Sequence, residues 1–270
     1  MQSKALTGFL LSYNLVLITI SCGIIARFAM TAIDNICILG DSVLLGVTYD
    51  DSRGRYSILR DGALTAFTRK LGFKVHSLCK MGQTSAEAAL KFTEALESGL
   101  RPDAVLIELG GNDCNMPWDD IAAKPDGEFS PAVSLGFFRG TLRGIIRTAM
   151  KYGIKPLVCS LPPLAADKFL GWVSKDEASK LSILSYLGDS ERIYRWQEMY
   201  SLEAVRVAAE ESAELVDLRG SFLSMKGYQD LICKDGIHPN AGGHRLIKEV
   251  LVSSFEEAAK AGSRSSAATA

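Results

Sequence analysis

Three short stretches of the sequence carry side chains that could act together on a substrate. The first is Gly40-Asp41-Ser42, the second is Gly110-Gly111-Asn112-Asp113, and the third runs from Asp235 to Pro239 and contains His238. Together they supply a hydroxyl, an amide, carboxylates and an imidazole. Nucleophilic catalysis by serine requires this set, because it needs an attacking hydroxyl, a base, an acid that orients the base and donors for a developing oxyanion.

The rest of the sequence predicts where these stretches lie in the fold. Short apolar runs alternate with longer segments of helical periodicity, which is typical of a parallel sheet covered by helices on both faces. The predicted strands comprise residues 35–39, 74–78, 104–109, 155–160 and 214–217. The predicted helices comprise residues 58–71, 85–96, 132–152, 191–211 and 241–261. Ligands bind beyond the carboxyl ends of the strands in such a sheet, and the first two stretches follow predicted strands there.

With these stretches in this order, the chain resembles the GDSL, or SGNH, hydrolase family over most of residues 33–261. The resemblance implies an α/β fold, a three-layer sandwich with a five-stranded, flavodoxin-like parallel sheet. It also implies that Ser42 is the nucleophile, that His238 is the general base and then the general acid, and that Asp235 orients His238. The implied oxyanion donors are the backbone N–H groups of Ser42 and Gly82 and the side-chain amide of Asn112.

The expected reaction is hydrolysis of a carboxylic ester through an acyl-enzyme. No G-x-S-x-G motif occurs, and the expected acid and base share one loop, which separates the chain from lipases of the elbow type. Substrate choice is expected to depend on residues 114–130 and 161–190. Their aromatic side chains, which could stack on a sugar or line an acyl pocket, are Trp118, Phe129, Phe169 and Trp172.

These aromatic residues favour carbohydrate O-deacetylation, with a small-molecule or carbohydrate ester as substrate. The family also contains lysophospholipase and thioesterase types of acyl hydrolase, and an acyltransferase would use the same residues. A ligand-binding module without catalysis is an alternative of another class, since a fold does not guarantee activity. The complete set of nucleophile, base and acid favours the enzyme.

Some of these residues also have simpler structural interpretations. Ser42 could cap a helix, and Gly82 and Asn112 could serve only as turn residues. Gly188-Asp189-Ser190 repeats the first stretch but precedes a helical segment, which predicts an N-cap at Asp189 or Ser190.

The remaining histidines and two acids are expected to be structural. His76 lies within a predicted strand, and His244 lies in the last predicted helix, where a local hydrogen bond is expected. Asp41 and Asp113 are expected to hold their loops together.

Composition excludes several classes of protein. The chain has 270 residues, 47% of them hydrophobic and 23% charged, with a formal net charge of −1, which is typical of a globular protein. No basic surplus or Lys/Arg-rich run indicates a nucleic-acid partner. The six cysteines have no metal-ligand spacing and are predicted to be reduced core residues. No cofactor or metal is expected, because nucleotide-binding and metal-binding motifs are absent.

The amino-terminal 29 residues are interpreted separately from the predicted hydrolase domain. Residues 5–26 are uncharged and about as long as the ~20 apolar residues of a membrane span, which is typical of a signal or anchor segment. Met30 offers the alternative that translation starts there. The protein would then be cytoplasmic, and otherwise membrane-anchored or secreted. The hydrolase domain is predicted over residues 30–261, with a flexible tail at 262–270.

Overall fold

A five-stranded parallel sheet forms the centre of the fold. The computed structural model describes residues 33–267, apart from the side chains of Ala66 and of residues 257–267. Residues 33–254 form one compact unit. Its strands are β1 (Asn35–Gly40), β2 (Val47–Asp50), β3 (Arg55–Ile58), β4 (Lys74–Ser77), β5 (Ala104–Glu108), β6 (Lys155–Cys159) and β7 (Glu214–Val216).

Helices cover the sheet and fill the connections between its strands. In chain order they are α1 (Ser42–Leu45), α2 (Ala63–Arg69), α3 (Ser85–Glu97), α4 (Trp118–Ala123), α5 (Leu135–Lys151), α6 (Ala166–Val173), α7 (Glu177–Leu187), α8 (Glu191–Glu210), α9 (Leu218–Leu223) and α10 (Ala241–Ala267). None of those within residues 33–267 combines the length and apolar content needed to cross a bilayer.

The strand order of the sheet is β4-β1-β5-β6-β7, with every pairing parallel. This is the flavodoxin-like order, in which ligands bind where the order reverses, beside the first strand. Gly40 of β1 is paired with Glu108 of β5. The stretches that follow these two strands therefore begin side by side, and the predicted fold class is confirmed.

The core lies on both faces of β1 and β5, which are almost wholly buried. On one face the strands pack against Phe92 of α3, Phe138 of α5 and Tyr200 of α8. Burial on both faces explains why each strand is a continuous apolar run in the sequence rather than an alternating one. It also makes the carboxyl edge of the sheet a rigid base for the loops.

The first predicted helix is wrong at its amino-terminal end. Sequence periodicity started it at residue 58, but Ile58 ends β3, which pairs antiparallel with β2, and the helix begins at Ala63. Gly46, in the left-handed conformation with φ 82°, ends α1 and lets the chain enter this hairpin. The pairing of two short strands, rather than helical periodicity, decides the structure here.

Two sequence predictions concern residues that lie partly or wholly outside those that the structure describes. The five described cysteines are free, and all but Cys79 are buried, whereas Cys22 lies outside the described residues. The predicted signal or anchor segment at residues 1–29 also lies outside them.

Candidate active site

Ser42 lies in the tight turn that follows β1, where α1 begins. The carboxylate of Asp41 caps this turn, since its Oδ1 accepts a hydrogen bond from the backbone N–H of Val43 at 2.8 Å. Asp41 therefore has the capping role that the sequence analysis considered for Ser42. Ser42 is only 7% exposed and lines a cavity at the carboxyl edge of the sheet.

His238 lies between Ser42 and Asp235. Its Nε2 is 3.0 Å from Ser42 Oγ, and its Nδ1 is 2.6 Å from Oδ2 of the buried Asp235. Burial alone would raise the pKa of Asp235, but the hydrogen bond and charge of His238, with backbone donors, outweigh it and lower that pKa. An ionised carboxylate thus faces one ring nitrogen while the other faces the serine hydroxyl, the arrangement of a Ser-His-Asp triad.

The loop that carries this pair is fixed by backbone contacts. Oδ1 of Asp235 accepts the backbone N–H groups of Ile237 and His238, each at 3.1 Å. Gly236 has φ 78°, and a Cβ there would lie 2.3 Å from the backbone nitrogen of Phe169. Only glycine allows the loop to approach α6 this closely. These contacts fix the loop that carries Asp235 and His238.

Asn112 and Gly82 lie beside Ser42 and line the same cavity. The side-chain amide of Asn112 donates to Oδ2 of Asp41 at 2.8 Å and to the backbone oxygen of Gln83 at 3.1 Å. Gly82 adopts φ 74°, a conformation that favours glycine. The structure therefore brings together all five residues that the sequence singled out.

Gln83 and Asp113 hold the loop of Gly82 in place, and sequence reasoning missed the first of them. The buried Gln83 amide donates to the backbone oxygens of Gly40 and Leu78 at 2.9 and 3.2 Å. Asp113 accepts the backbone N–H and the hydroxyl of Ser85, at the start of α3. Asp113 thus has the loop-holding role expected of it.

Glu108, the last residue of β5, is a further acid that the sequence analysis missed. It is buried at the cavity that Ser42 lines, and its carboxyl interacts with that of Asp41. Burial and then the charge of Asp41 raise the pKa of Glu108 well above its ordinary value. The raised pKa favours the protonated form of Glu108, which is the form that can donate to Asp41. The only signal in the sequence is an acid at the end of a wholly apolar strand.

A cavity of about 360 Å³ opens beside Ser42 and His238. Its wall is largely apolar and includes Trp118, Leu161, Leu164, Phe169, Trp172, Val173, Ile193 and Trp196. Phe129, which the sequence placed among the substrate-contacting aromatics, instead packs against Tyr186 with ring centroids 5.5 Å apart. Ile193 and Trp196 come from α8, whose periodicity predicted only a covering helix.

The second Gly-Asp-Ser stretch and the other histidines do not line this cavity. Ser190 occupies the N-cap position of α8, but its hydroxyl donates to Asp167 instead of capping the helix. His76 lies in β4, as predicted. His244 does not bond locally: its Nε2 is 2.9 Å from the backbone oxygen of Val47, in the hairpin.

The fold and the geometry at its carboxyl edge are those of an α/β serine hydrolase. The sequence matches the GDSL-like lipase/acylhydrolase family over residues 38–246, most of its length. The chain belongs to this family, and it is therefore an ester-hydrolysing serine hydrolase. The comparison with curated protein sequences gives no match.

Solved structures of esterases share the fold at low sequence identity. The lipase/acylhydrolase from Enterococcus faecalis is 17% identical with a TM-score of 0.59, and the match covers 83% of this chain and 95% of that one. The acetylxylan esterase Axe2 from Geobacillus stearothermophilus is 16% identical with a TM-score of 0.54, covering 82% and 94%. The esterase EstA from Pseudoalteromonas sp., inhibited by monoethylphosphonate, is 17% identical with a TM-score of 0.54, covering 83% and 97%.

Proposed function

We propose that Ser42 is the nucleophile of this hydrolase, that His238 is its general base and that Asp235 orients the imidazole. One observation carries the proposal: an unbroken line of contacts joins Ser42 Oγ to His238 Nε2 at 3.0 Å and His238 Nδ1 to Asp235 Oδ2 at 2.6 Å. These distances lie within the range over which a proton is transferred. All three side chains are buried, and Ser42 and His238 line a substrate-sized cavity.

The reaction proceeds in two half-reactions through an acyl-enzyme. Ser42 Oγ attacks the ester carbonyl, its proton passes to Nε2 of His238, and the carbonyl π electrons move to oxygen. Collapse of the tetrahedral intermediate breaks the bond to the alcohol, which leaves with the proton from Nε2. Water then attacks the acyl-serine, again giving its proton to Nε2, and Ser42 regains that proton as the acid departs.

Three donors stabilise the oxyanion in this proposal. They are the backbone N–H groups of Ser42 and Gly82 and the side-chain amide of Asn112; all three residues line the cavity. Donors fixed before the reaction stabilise charge that develops only in the transition state. The contacts with Asp41 and Gln83 fix the Asn112 amide in place, but they engage both of its N–H groups, so one of these hydrogen bonds must be exchanged for the oxyanion during the reaction.

A fluorophosphonate probe tests the nucleophile directly. Ser42 Oγ is expected to displace fluoride from phosphorus as His238 takes the proton, which leaves a stable adduct on the peptide that contains Ser42. Peptide mass spectrometry should find this adduct in the parent enzyme and not in His238→Ala. The matched control is His76→Ala, since His76 lies in β4 away from the cavity and its loss should leave labelling intact.

Labelling of a different residue would overturn the assignment of Ser42. No adduct on the folded parent protein would instead favour the ligand-binding module that the sequence analysis left open.

The cavity wall supports an ester with an apolar acyl chain as the substrate. Two polar side chains that line it besides the proposed catalytic set already have partners. Asn115 Oδ1 accepts the indole N–H of Trp118 at 3.0 Å. Gln197 donates to the backbone oxygen of Pro162 at 2.9 Å and accepts from Arg219 at 2.8 Å. Sugar hydroxyls would find few free partners here, whereas methylene groups would be well buried, so we favour an acyl hydrolase over a carbohydrate deacetylase.

A series of p-nitrophenyl esters distinguishes these substrate classes. Each buried methylene contributes about 0.8 kcal/mol, which is roughly a four-fold gain in kcat/KM. We expect kcat/KM to be at least about 100-fold higher for the octanoate than for the acetate, because the cavity buries the longer chain. Val173→Trp, which narrows the cavity, should reduce the octanoate-to-acetate ratio. Acetylated xylo-oligosaccharides hydrolysed faster than the octanoate would instead favour carbohydrate deacetylation.

A further inference from the structure

The β2–β3 hairpin is attached to the loop that carries the proposed acid and base. Cys233, two residues before Asp235, lies 3.2 Å from Thr48 Oγ1 and accepts the backbone N–H of Tyr49 at 3.4 Å. The next residue, Lys234, lies over the ring of Tyr49 at 4.7 Å. These contacts, with that of His244 to the hairpin backbone, fix the position of the hairpin relative to the catalytic loop.

Tyr56 of β3 lies against both members of the Asp235–His238 pair. Its ring packs on the imidazole of His238, with centroids 5.1 Å apart and planes tilted by 59°. Its hydroxyl interacts with the carboxylate of Asp235 through charge and as a weak hydrogen-bond donor. Burial, then the charge of Asp235 and this hydrogen bond, raise the pKa of the Tyr56 hydroxyl, so it remains a neutral donor.

Other aromatic rings hold Tyr56 in this position. Tyr49 packs edge-on against it at 5.1 Å, and Trp172 of α6 lies 6.3 Å away. The cluster connects the hairpin to the helix that walls the cavity. Tyr56 therefore packs on the proposed base and interacts with the proposed acid from a strand distant in sequence from their loop, and it is not among the residues of the family motifs.

We propose that Tyr56 is a positioning residue whose ring fixes the plane of the His238 imidazole and whose hydroxyl stabilises the carboxylate of Asp235, so that the β2–β3 hairpin contributes to the active site. The inference rests on the proposed roles of Ser42, His238 and Asp235. A buried carboxylate requires donors for its lone pairs, and each donor that it gains stabilises the ionised form.

The sign of the effect on His238 follows from this contact. Removing the Tyr56 hydroxyl leaves the carboxylate of Asp235 less stabilised and therefore more attractive to a positive charge on the imidazole. The protonated imidazole gains stability, so the pH above which His238 can act as a base rises. The substitution leaves the neighbouring titratable groups unchanged: Asp41 and His244 interact with His238, and Cys233 and Tyr49 interact with residue 56.

The test compares Tyr56→Phe with Tyr49→Phe, which removes one hydroxyl from the same hairpin but not from Asp235. Tyr56→Phe is expected to lower kcat about ten-fold, the loss expected for one hydrogen bond to a charged group, with little change in KM. The acid limb of its kcat/KM profile should shift upward by about half a pH unit, a size typical of one lost hydrogen bond. Tyr49→Phe should match the parent enzyme in both measurements.

Equal pH profiles for Tyr56→Phe and Tyr49→Phe would overturn the inference, because a purely structural tyrosine would not move the acid limb. A failure of the proposed function would give a different result, because Ser42→Ala and His238→Ala would then keep their activity. If those two variants are inactive while Tyr56→Phe behaves as the parent does, only the role of Tyr56 is rejected.

Discussion

Replacing Asp235 with asparagine is expected to lower kcat by about 10⁴-fold, the size of effect that follows when the acid of a serine triad becomes an amide. The backbone N–H groups of Ile237 and His238 donate to Oδ1 of Asp235, and the amide oxygen of asparagine can accept both. Its NH₂ group then faces Nδ1 of His238. The ring must present a bare Nδ1 to this donor, which places its proton on Nε2, where it can no longer take the proton of Ser42.

Steady-state kinetics on a short-chain ester measure this effect, and KM should change little because Asp235 is wholly buried and does not line the cavity. Asp217→Asn is a matched control. Asp217 also follows a strand, and it caps α9, accepting the hydroxyl of Ser160 at 2.7 Å and the backbone N–H of Gly220 at 2.8 Å. Its variant should retain kcat within a few-fold. Near-parental turnover by Asp235→Asn would exclude Asp235 as the orienting acid.

The central sheet could be predicted from the sequence, because burial on both faces leaves an unmistakable pattern. β1 and β5 are continuous apolar runs whose predicted ends differ from the observed ones by a single residue. The hairpin could not be predicted in this way. Its strands are short and half-exposed, and its contacts with Cys233 and Lys234 join parts of the chain that are far apart in sequence.

The same distinction applies to the candidate site. Ser42, Asn112 and His238 follow strands or lie in loops, where polar residues among apolar runs are conspicuous. Glu108 and Tyr56 lie within strands, where periodicity predicts core or surface and says nothing of function. Their proximity to the site depends on the pairing of β1 with β5 and on the packing of the hairpin against His238, which only the folded chain reveals.

Replacing Asn112 with alanine is expected to lower kcat by on the order of 10²- to 10³-fold, the usual loss when one oxyanion donor is removed. The charge that this amide would stabilise develops only in the transition state, so KM should stay close to the parental value. Kinetics on the same ester measure both quantities. Asn35→Ala is a suitable control, because it removes a carboxamide from the opposite end of β1.

The contacts of Asn112 make a structural effect of the same substitution separable from a catalytic one. Its amide donates to Asp41 and to Gln83, and each lost hydrogen bond costs about 1 kcal/mol of stability. A turn residue without a catalytic role would therefore lower the unfolding temperature while folded enzyme kept its kcat. An oxyanion donor would lower kcat at temperatures where the variant is fully folded, and would slow phosphonylation of Ser42 as well. Parental kcat in the folded variant would assign Asn112 to the turn alone.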